Sequence, residues 1–268
     1  SDLVNGKPTV DIGIYFPSNL DSTFTKVTFN KMIESFLFAK EIFKPTDVQL
    51  NLLFAKTGNI NSSYLSMQAN ETPGIPDTEY VNLYENSRRH PSIPTAHAIN
   101  AFRSIVEKDI NNSRTIYLIA LQDVFYPFLT LAEGRNWMMK TVRTGGLSFP
   151  SYSYVDQIPN ELRGVITITN LSTEDRYRKT LAHELGHKLI NVSHEYNDIN
   201  PGFEVFAEGG LMLYGSGEDI PSGKEGRWHL ERLQLSPYLY KIDESGNKIW
   251  NDDYKESGHY YDPIYDNY

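Results

Sequence analysis

From Thr9 to Phe16 the chain alternates Val10, Ile12, Ile14 and Phe16 with smaller or polar neighbours, a two-residue period that predicts a strand. Between Thr25 and Phe43 the apolar residues Phe29, Met32, Ile33, Phe36, Ile42 and Phe43 keep helical spacing, and Lys44-Pro45 ends that helix. Val48 to Ala55 alternates again, with Val48, Leu50, Leu52 and Phe54 on one face. These three segments predict a β-α-β opening.

Residues 56–94 are rich in Asn, Ser, Pro and Gly and read as a long surface excursion. A second amphipathic helix carries Ile99, Phe102, Ile105 and Val106. Thr115–Leu121 is apolar on both faces, as expected of a central strand. Residues 122–150 are aromatic and Gly-containing without a clear period, Tyr152–Val155 reads as a short strand, and Gly164–Thr169 as a better one.

Ser172 is placed to cap a helix over about 173–190, with Glu174 and Asp175 in its first turn. Beyond it the sequence reads as a loop, a Gly-flanked segment at 209–217, a helix near 225–235 and a hairpin over Tyr240–Trp250. The acidic, tyrosine-rich end, Asn251–Tyr268, reads as a loosely packed tail. No internal repeat and no second core is visible, so a single domain over 1–268 is expected.

The helix over 173–190 changes the picture, because it contains His183-Glu184-Leu185-Gly186-His187, followed by His194. Three of the chain's seven histidines fall in this short stretch. Residues four apart share one helical face, so the imidazoles of His183 and His187 reach one Zn²⁺. Glu184 then lies beside the metal, placed to take a proton from a water held there. A zinc hydrolase, and among these a metallopeptidase, is the reading this motif supports.

Catalytic zinc ordinarily keeps three protein ligands. His194 is the nearest candidate for the third. A straight helix would carry it about 10 Å past His187, so the chain must first turn back. Asn191 suits that turn, since Asn tolerates the left-handed conformation that ends helices. The rival is a carboxylate from Phe203-Glu204-Val205-Phe206-Ala207-Glu208, where Glu204 and Glu208 share a face. Either acid would otherwise serve to hold a zinc histidine in place.

The chain has no cysteine, which excludes thiolate-bound zinc, a thiol nucleophile and a disulfide framework. Its net charge of −9 argues against nucleic acid or an anionic membrane as partner. No run approaches the roughly 20 apolar residues of a membrane span. The chain begins Ser1-Asp2-Leu3, with neither Met nor a signal segment, and is expected to be a trimmed or mature form of a secreted or cell-surface bacterial protein. The sequons at Asn61, Asn70, Asn111, Asn170 and Asn191 read as chance matches.

His183-Glu184-x-x-His187, a turn residue, a third His and then Met212 in Gly210-Leu211-Met212-Leu213-Tyr214-Gly215 together resemble the metzincin metallopeptidases. The spacing departs from most of them. Their Gly stands three residues after the second His, where this chain has Ile190, and Asn191 and His194 arrive one residue late. That shift is similar to the igalysins (the IgA-peptidase-like family), with Asn191 for their Gly and His194-Glu195-Tyr196 for their Asp-Glu-Tyr. The likeness covers His183 to Gly217.

The resemblance implies an α+β, metzincin-like fold. It has a twisted mixed N-terminal sheet with backing helices and the zinc helix over about 1–190, and a smaller C-terminal subdomain over about 191–268 with a Met-turn and a C-terminal helix. It implies Met212 as a hydrophobic floor under the metal and Tyr214 as a transition-state donor. An extended substrate would lie along an edge strand, named by analogy as Tyr152–Val155, with Gly215-Ser216-Gly217 bordering the pocket after the cut. The expected partner is a protein or peptide substrate and the expected state a monomer. Two readings stand as alternatives: a zinc-containing surface or glycan-binding module without proteolysis, and a zinc hydrolase of a non-peptide amide. Calcium at Asn197–Asn200 or Asn251–Asp253 has no support beyond composition.

Overall fold

The computed structural model describes residues 3–21, 23, 26–71, 93–107, 114–131, 137–149, 164–190, 210–212, 230 and 233–251. The opening forms as the periodicity predicts except at Phe54: a register shift after Leu52 turns it from the face of Val48, Leu50 and Leu52 to the other, against Tyr15. Strand β1 (Thr9–Pro17) leads to helix α1 (Phe29–Phe43) and strand β2 (Gln49–Gly58), which lies parallel to β1 along its whole length. Thr28 caps α1 by accepting the Lys31 N–H at 3.2 Å, which satisfies one of the donors a helix start leaves unpaired. The helix stops at Phe43, and a single tight turn containing Pro45 follows.

Short strands β3 (Ser66–Gln68), β4 (Asn70–Glu71) and β5 (Ile93–Pro94) precede helix α2 (Ala96–Ile105). The Thr95 hydroxyl accepts the Ala98 N–H at 3.1 Å and starts that helix. Strand β6 (Ile116–Ala120) is fully buried. Then come β7 (Asp123–Leu131) and β8 (Trp137–Arg143), an antiparallel pair, followed by β9 (Gly146–Ser148) and β10 (Val165–Ile168). Helix α3 (Glu174–Ile190) carries the histidine motif, and β11 (Tyr240–Ile242) and β12 (Lys248–Trp250) close the described chain as a hairpin.

The main sheet runs β2-β1-β6-β10-β9, with the first four strands parallel and β9 antiparallel at the edge. The β11–β12 hairpin joins the same sheet where Tyr240 pairs with Thr9. Strands β3, β7 and β8 form a second, three-stranded sheet. The fold is thus a mixed α/β arrangement.

Both faces of the main sheet are covered, which is why its central strands read as continuous apolar runs. On one face Ile12, Ile14, Leu118, Ile166 and Ile168 pack with Met32, Phe36 and Phe43 of α1 and Leu181, Leu185 and Leu189 of α3. On the other, Tyr117, Ile119 and Val165 pack with Ala98, Phe102 and Ile105 of α2 and with Phe149. The Phe102 and Phe149 rings meet edge to face at 4.9 Å. No helix among the described residues is long and apolar enough to cross a membrane.

Local expectations change elsewhere too. The stretch 122–150, without a clear period in sequence, carries β7, β8 and β9 among its described residues. Helix α3 begins one residue later than a Ser172 cap implies, with the Thr173 carbonyl accepting from Arg176 and Tyr177. The Ser172 N–H instead binds the Asn170 side chain at 3.1 Å. Tyr152–Val155 lies outside the described residues; among those described, β9 is the edge strand beside β10.

Candidate metal centre

Helix α3 is held by its buried positions Leu181, Ala182, Leu185, Leu189 and Ile190, which fix its rotation about its own axis. Glu174 and Asp175 at its start and Lys188 near its end complement the helix dipole. With that rotation set, His183, Glu184 and His187 come together. One ligand-type atom from each lies within 4.8 Å of the other two. The two imidazoles meet edge to face, with ring centres 4.6 Å apart. Glu184 and His187 are each only 7% exposed.

The His183 ring is aimed from behind. Its Nδ1 lies 2.6 Å from the Leu211 carbonyl oxygen. A carbonyl only accepts, so Nδ1 carries the proton and donates it, and Nε2 keeps the lone pair. This is the arrangement by which a backbone oxygen selects the tautomer of a metal-binding histidine. Burial holds the His183 imidazole below the ordinary histidine range; the Leu211 contact opposes that shift and the Lys179 charge adds to it. A neutral imidazole at pH 7 is the state a metal requires.

Glu184 is a buried carboxylate on the same face. Burial pushes its carboxyl up to about 8, against the opposing effects of the Ser148 backbone N–H, which donates to it, and of the Lys188 charge. A backbone methyl at Gly146 would stand 2.9 Å from Glu184 Cγ and 3.1 Å from its Oε1. Strand β9 therefore runs directly against the Glu184 side chain.

Leu211 and Met212 form a turn and are completely buried. Met212 fills the space that a side chain at Gly186 would occupy, its Sδ being the atom such a side chain would strike. Gly in a helix interior ordinarily costs about 0.5–1 kcal/mol relative to Ala. Here it lets the Leu211–Met212 turn approach α3 between the two histidines in sequence.

The donor set suits zinc: two imidazoles in the tautomer that presents Nε2 from His183, a neighbouring carboxylate, and a span that nitrogens at about 2.1 Å from an ion close by side-chain adjustment. His194, Glu204, Glu208, Tyr214 and Gly215–Gly217 lie outside the described residues. Three contributors escaped sequence reasoning. The Leu211 carbonyl has no sequence signature. Gly146 and Ser148 had one weak signal, the Gly145-Gly146 pair in an otherwise aperiodic stretch.

No family model matches the chain, and no curated protein does. Among solved structures it is similar to metalloproteinase-II from Bacteroides fragilis, with a TM-score of 0.46 and 13% identity, covering 87% of this chain and 55% of that one. It is also similar to a chain in a structure described as a chaperone-substrate complex, with a TM-score of 0.35 and 12% identity, covering 87% of this chain and 39% of that one. The chain thus spans about half the length of the first and less of the second. Both likenesses are distant, and the functional reading stands on the residues of the site.

Proposed function

We propose that this protein is a zinc-dependent endopeptidase of the metzincin type, with His183, His187 and His194 as metal ligands and Glu184 as general base. The observation that carries the reading is the convergence of two imidazoles and a buried carboxylate on one helix face, with the Leu211 carbonyl fixing the ring of the first. A purely structural zinc site favours four closed ligands and has no use for a base. Bound there, zinc would polarise the scissile carbonyl and make water a stronger acid.

The chain's own groups do the rest. Glu184 takes the proton of the attacking water and delivers it to the leaving amine. The Leu211 carbonyl keeps His183 in one tautomer throughout. Tyr214 is assigned to the developing oxyanion, and Met212, buried against Gly186, to the floor of the site. Glu204 or Glu208 is the alternative third ligand. An extended substrate pairs with an edge strand; Tyr152–Val155 is assigned to this, and among the described residues β9 is the edge strand beside Glu184. We assign the whole chain to one catalytic domain and the protein to a secreted or cell-surface, monomeric state.

Incubation of zinc-loaded protein with a diverse peptide library tests the reading. Defined internal cuts that chelation abolishes and zinc restores are expected. A folded, zinc-loaded sample that cuts nothing would remove it.

A further inference from the structure

A carboxylate within 4.8 Å of two metal-binding imidazoles has two possible fates. It becomes a ligand itself, or it is held aside as a base. Something outside α3 has to decide, because a glutamate with freedom of rotation would be drawn onto a divalent cation.

Strand β9 is built to decide it. Phe149 N donates to Val165 O at 2.9 Å, and Thr169 N donates to Gly145 O at 2.9 Å. Leu147 lies opposite Thr167 between these two pairs. Odd-numbered residues of β9 therefore make the ladder bonds with β10, and the N–H groups of Gly146 and Ser148 face the outer edge. The Ser148 N–H does not face empty space: it donates to the Glu184 carboxylate. Two residues earlier, Gly146 lies against Glu184 Cγ and Thr180 Cγ2, each 2.9 Å from where a Cβ would stand.

The strand's own position is fixed from both ends. Thr144 N donates to Val124 O at 2.9 Å, and the Thr169 hydroxyl donates to the Thr144 carbonyl. Asn170 N adds a bond to Gly145 O at 3.2 Å. The turn entering β9 is thus tied to the β7–β8 hairpin and to the segment that leads into α3. A backbone so anchored provides a rigid donor and a rigid wall for a side chain on the neighbouring helix.

We propose that Gly146 and Ser148 are the positioning residues of Glu184, strand β9 holding the carboxylate beside the metal's ligand set and in the orientation of a base. Ser148 acts through its main-chain N–H, Gly146 through the absence of a side chain. The inference rests on the peptidase reading for its catalytic meaning and on β9 alone for its geometry.

Two experiments separate those parts. In metal-free protein, amide hydrogen exchange at Ser148 is compared between the wild type and Glu184→Ala, with the Phe149 amide as the ladder control on the same strand. Exchange at Ser148 alone is expected to speed up roughly tenfold or more when the carboxylate is removed. Glu184→Gln, which retains an acceptor oxygen, should restore much of the protection. Equal rates at Ser148 in wild type and Glu184→Ala would overturn the proposal, whatever the protein's activity.

The second experiment compares zinc-loaded Gly146→Ala and Ser148→Pro with the wild type on one cleaved peptide. Proline is tolerated on an edge strand where the N–H faces away from the ladder, so Ser148→Pro deletes the donor with little else. Both are expected to lower kcat about 100-fold, with KM and zinc affinity within about threefold of wild type. A kcat at the wild-type level, or a parallel loss of zinc affinity, would show β9 to be scaffold only and overturn the proposal. If Gly146→Ala does not fold, Ser148→Pro and the exchange rates decide. A wild type that cleaves nothing refutes the peptidase reading, and the exchange rates still decide whether β9 holds Glu184.

Discussion

His183 Nδ1 donates to the carbonyl of Leu211, 2.6 Å away and 28 positions later in the chain. That bond joins the helix bearing His183 and His187 to the turn containing Met212, and it selects the tautomer in which Nε2 carries the lone pair. A ligand of the folded state stabilises it by mass action, by about 2.7 kcal/mol at a hundredfold excess over Kd. Zinc is therefore expected to raise the melting temperature of the wild type. His187→Ala is expected to fold yet lose most of that increase. A calorimetric scan with and without zinc checks this, and an equal zinc effect in both proteins would contradict the assignment.

Gly186 makes an opposite forecast to helix propensity. Ala in a helix interior is better than Gly by roughly 0.8–1 kcal/mol. Met212 occupies the space a methyl at 186 would need. Gly186→Ala is therefore expected to destabilise by about 1–3 kcal/mol, as overpacking does, in urea unfolding. Met212→Ala in that background should recover part of the loss, since the collision is with the Met212 sulfur. A stabilised Gly186→Ala would show the turn to be less closely packed.

Asp11 anchors the C-terminal hairpin. Its carboxylate, 1% exposed, accepts from Lys248 Nζ at 2.5 Å, Tyr240 Oη at 2.7 Å and Asn51 Nδ2 at 2.8 Å. Tyr240→Phe removes one hydrogen bond to a charged group and should cost about 1.5–3 kcal/mol near neutral pH. Burial, with the neighbouring Asp11, holds the Tyr240 phenol well above its ordinary range. The unfolded chain ionises near pH 10 while the folded Tyr240 keeps its proton. Its contribution is thus complete below about pH 10 and lost as pH rises above it. The stability gap between wild type and Tyr240→Phe should narrow in alkaline urea titrations; a gap that widens would refute this sign.

Much of this was legible in the sequence wherever local periodicity sets structure. Strand β1, helix α1 and strand β2 declare themselves through residues such as Ile12, Met32 and Leu50, because burial on one face leaves a period the eye can count. The metal motif was legible for the same reason: spacing on a helix dictates that His183 and His187 share a face. The β7–β8 hairpin was not. Its register pairs Phe125 with Arg143 and Leu131 with Trp137, and Pro127 sits inside a run that ordinary strand rules demote. Strand β9 is only three residues long and is defined by what it touches, Ile166 on one side and Glu184 on the other. Contacts between residues dozens of positions apart leave no period, which is why Ser148 and the Leu211 carbonyl went unseen. His194 and Tyr214 remain proposals from the motif.

We propose Glu184 as a base beside a zinc ion held by histidines. Zinc content and peptide cleavage rate, measured on the same samples of wild type and Glu184→Ala, test it most directly. One zinc is expected in each protein, with a rate for Glu184→Ala lower by at least about 100-fold, the lower end of what general acid–base catalysis contributes. A Glu184→Ala protein that holds zinc and cleaves at the wild-type rate would contradict it.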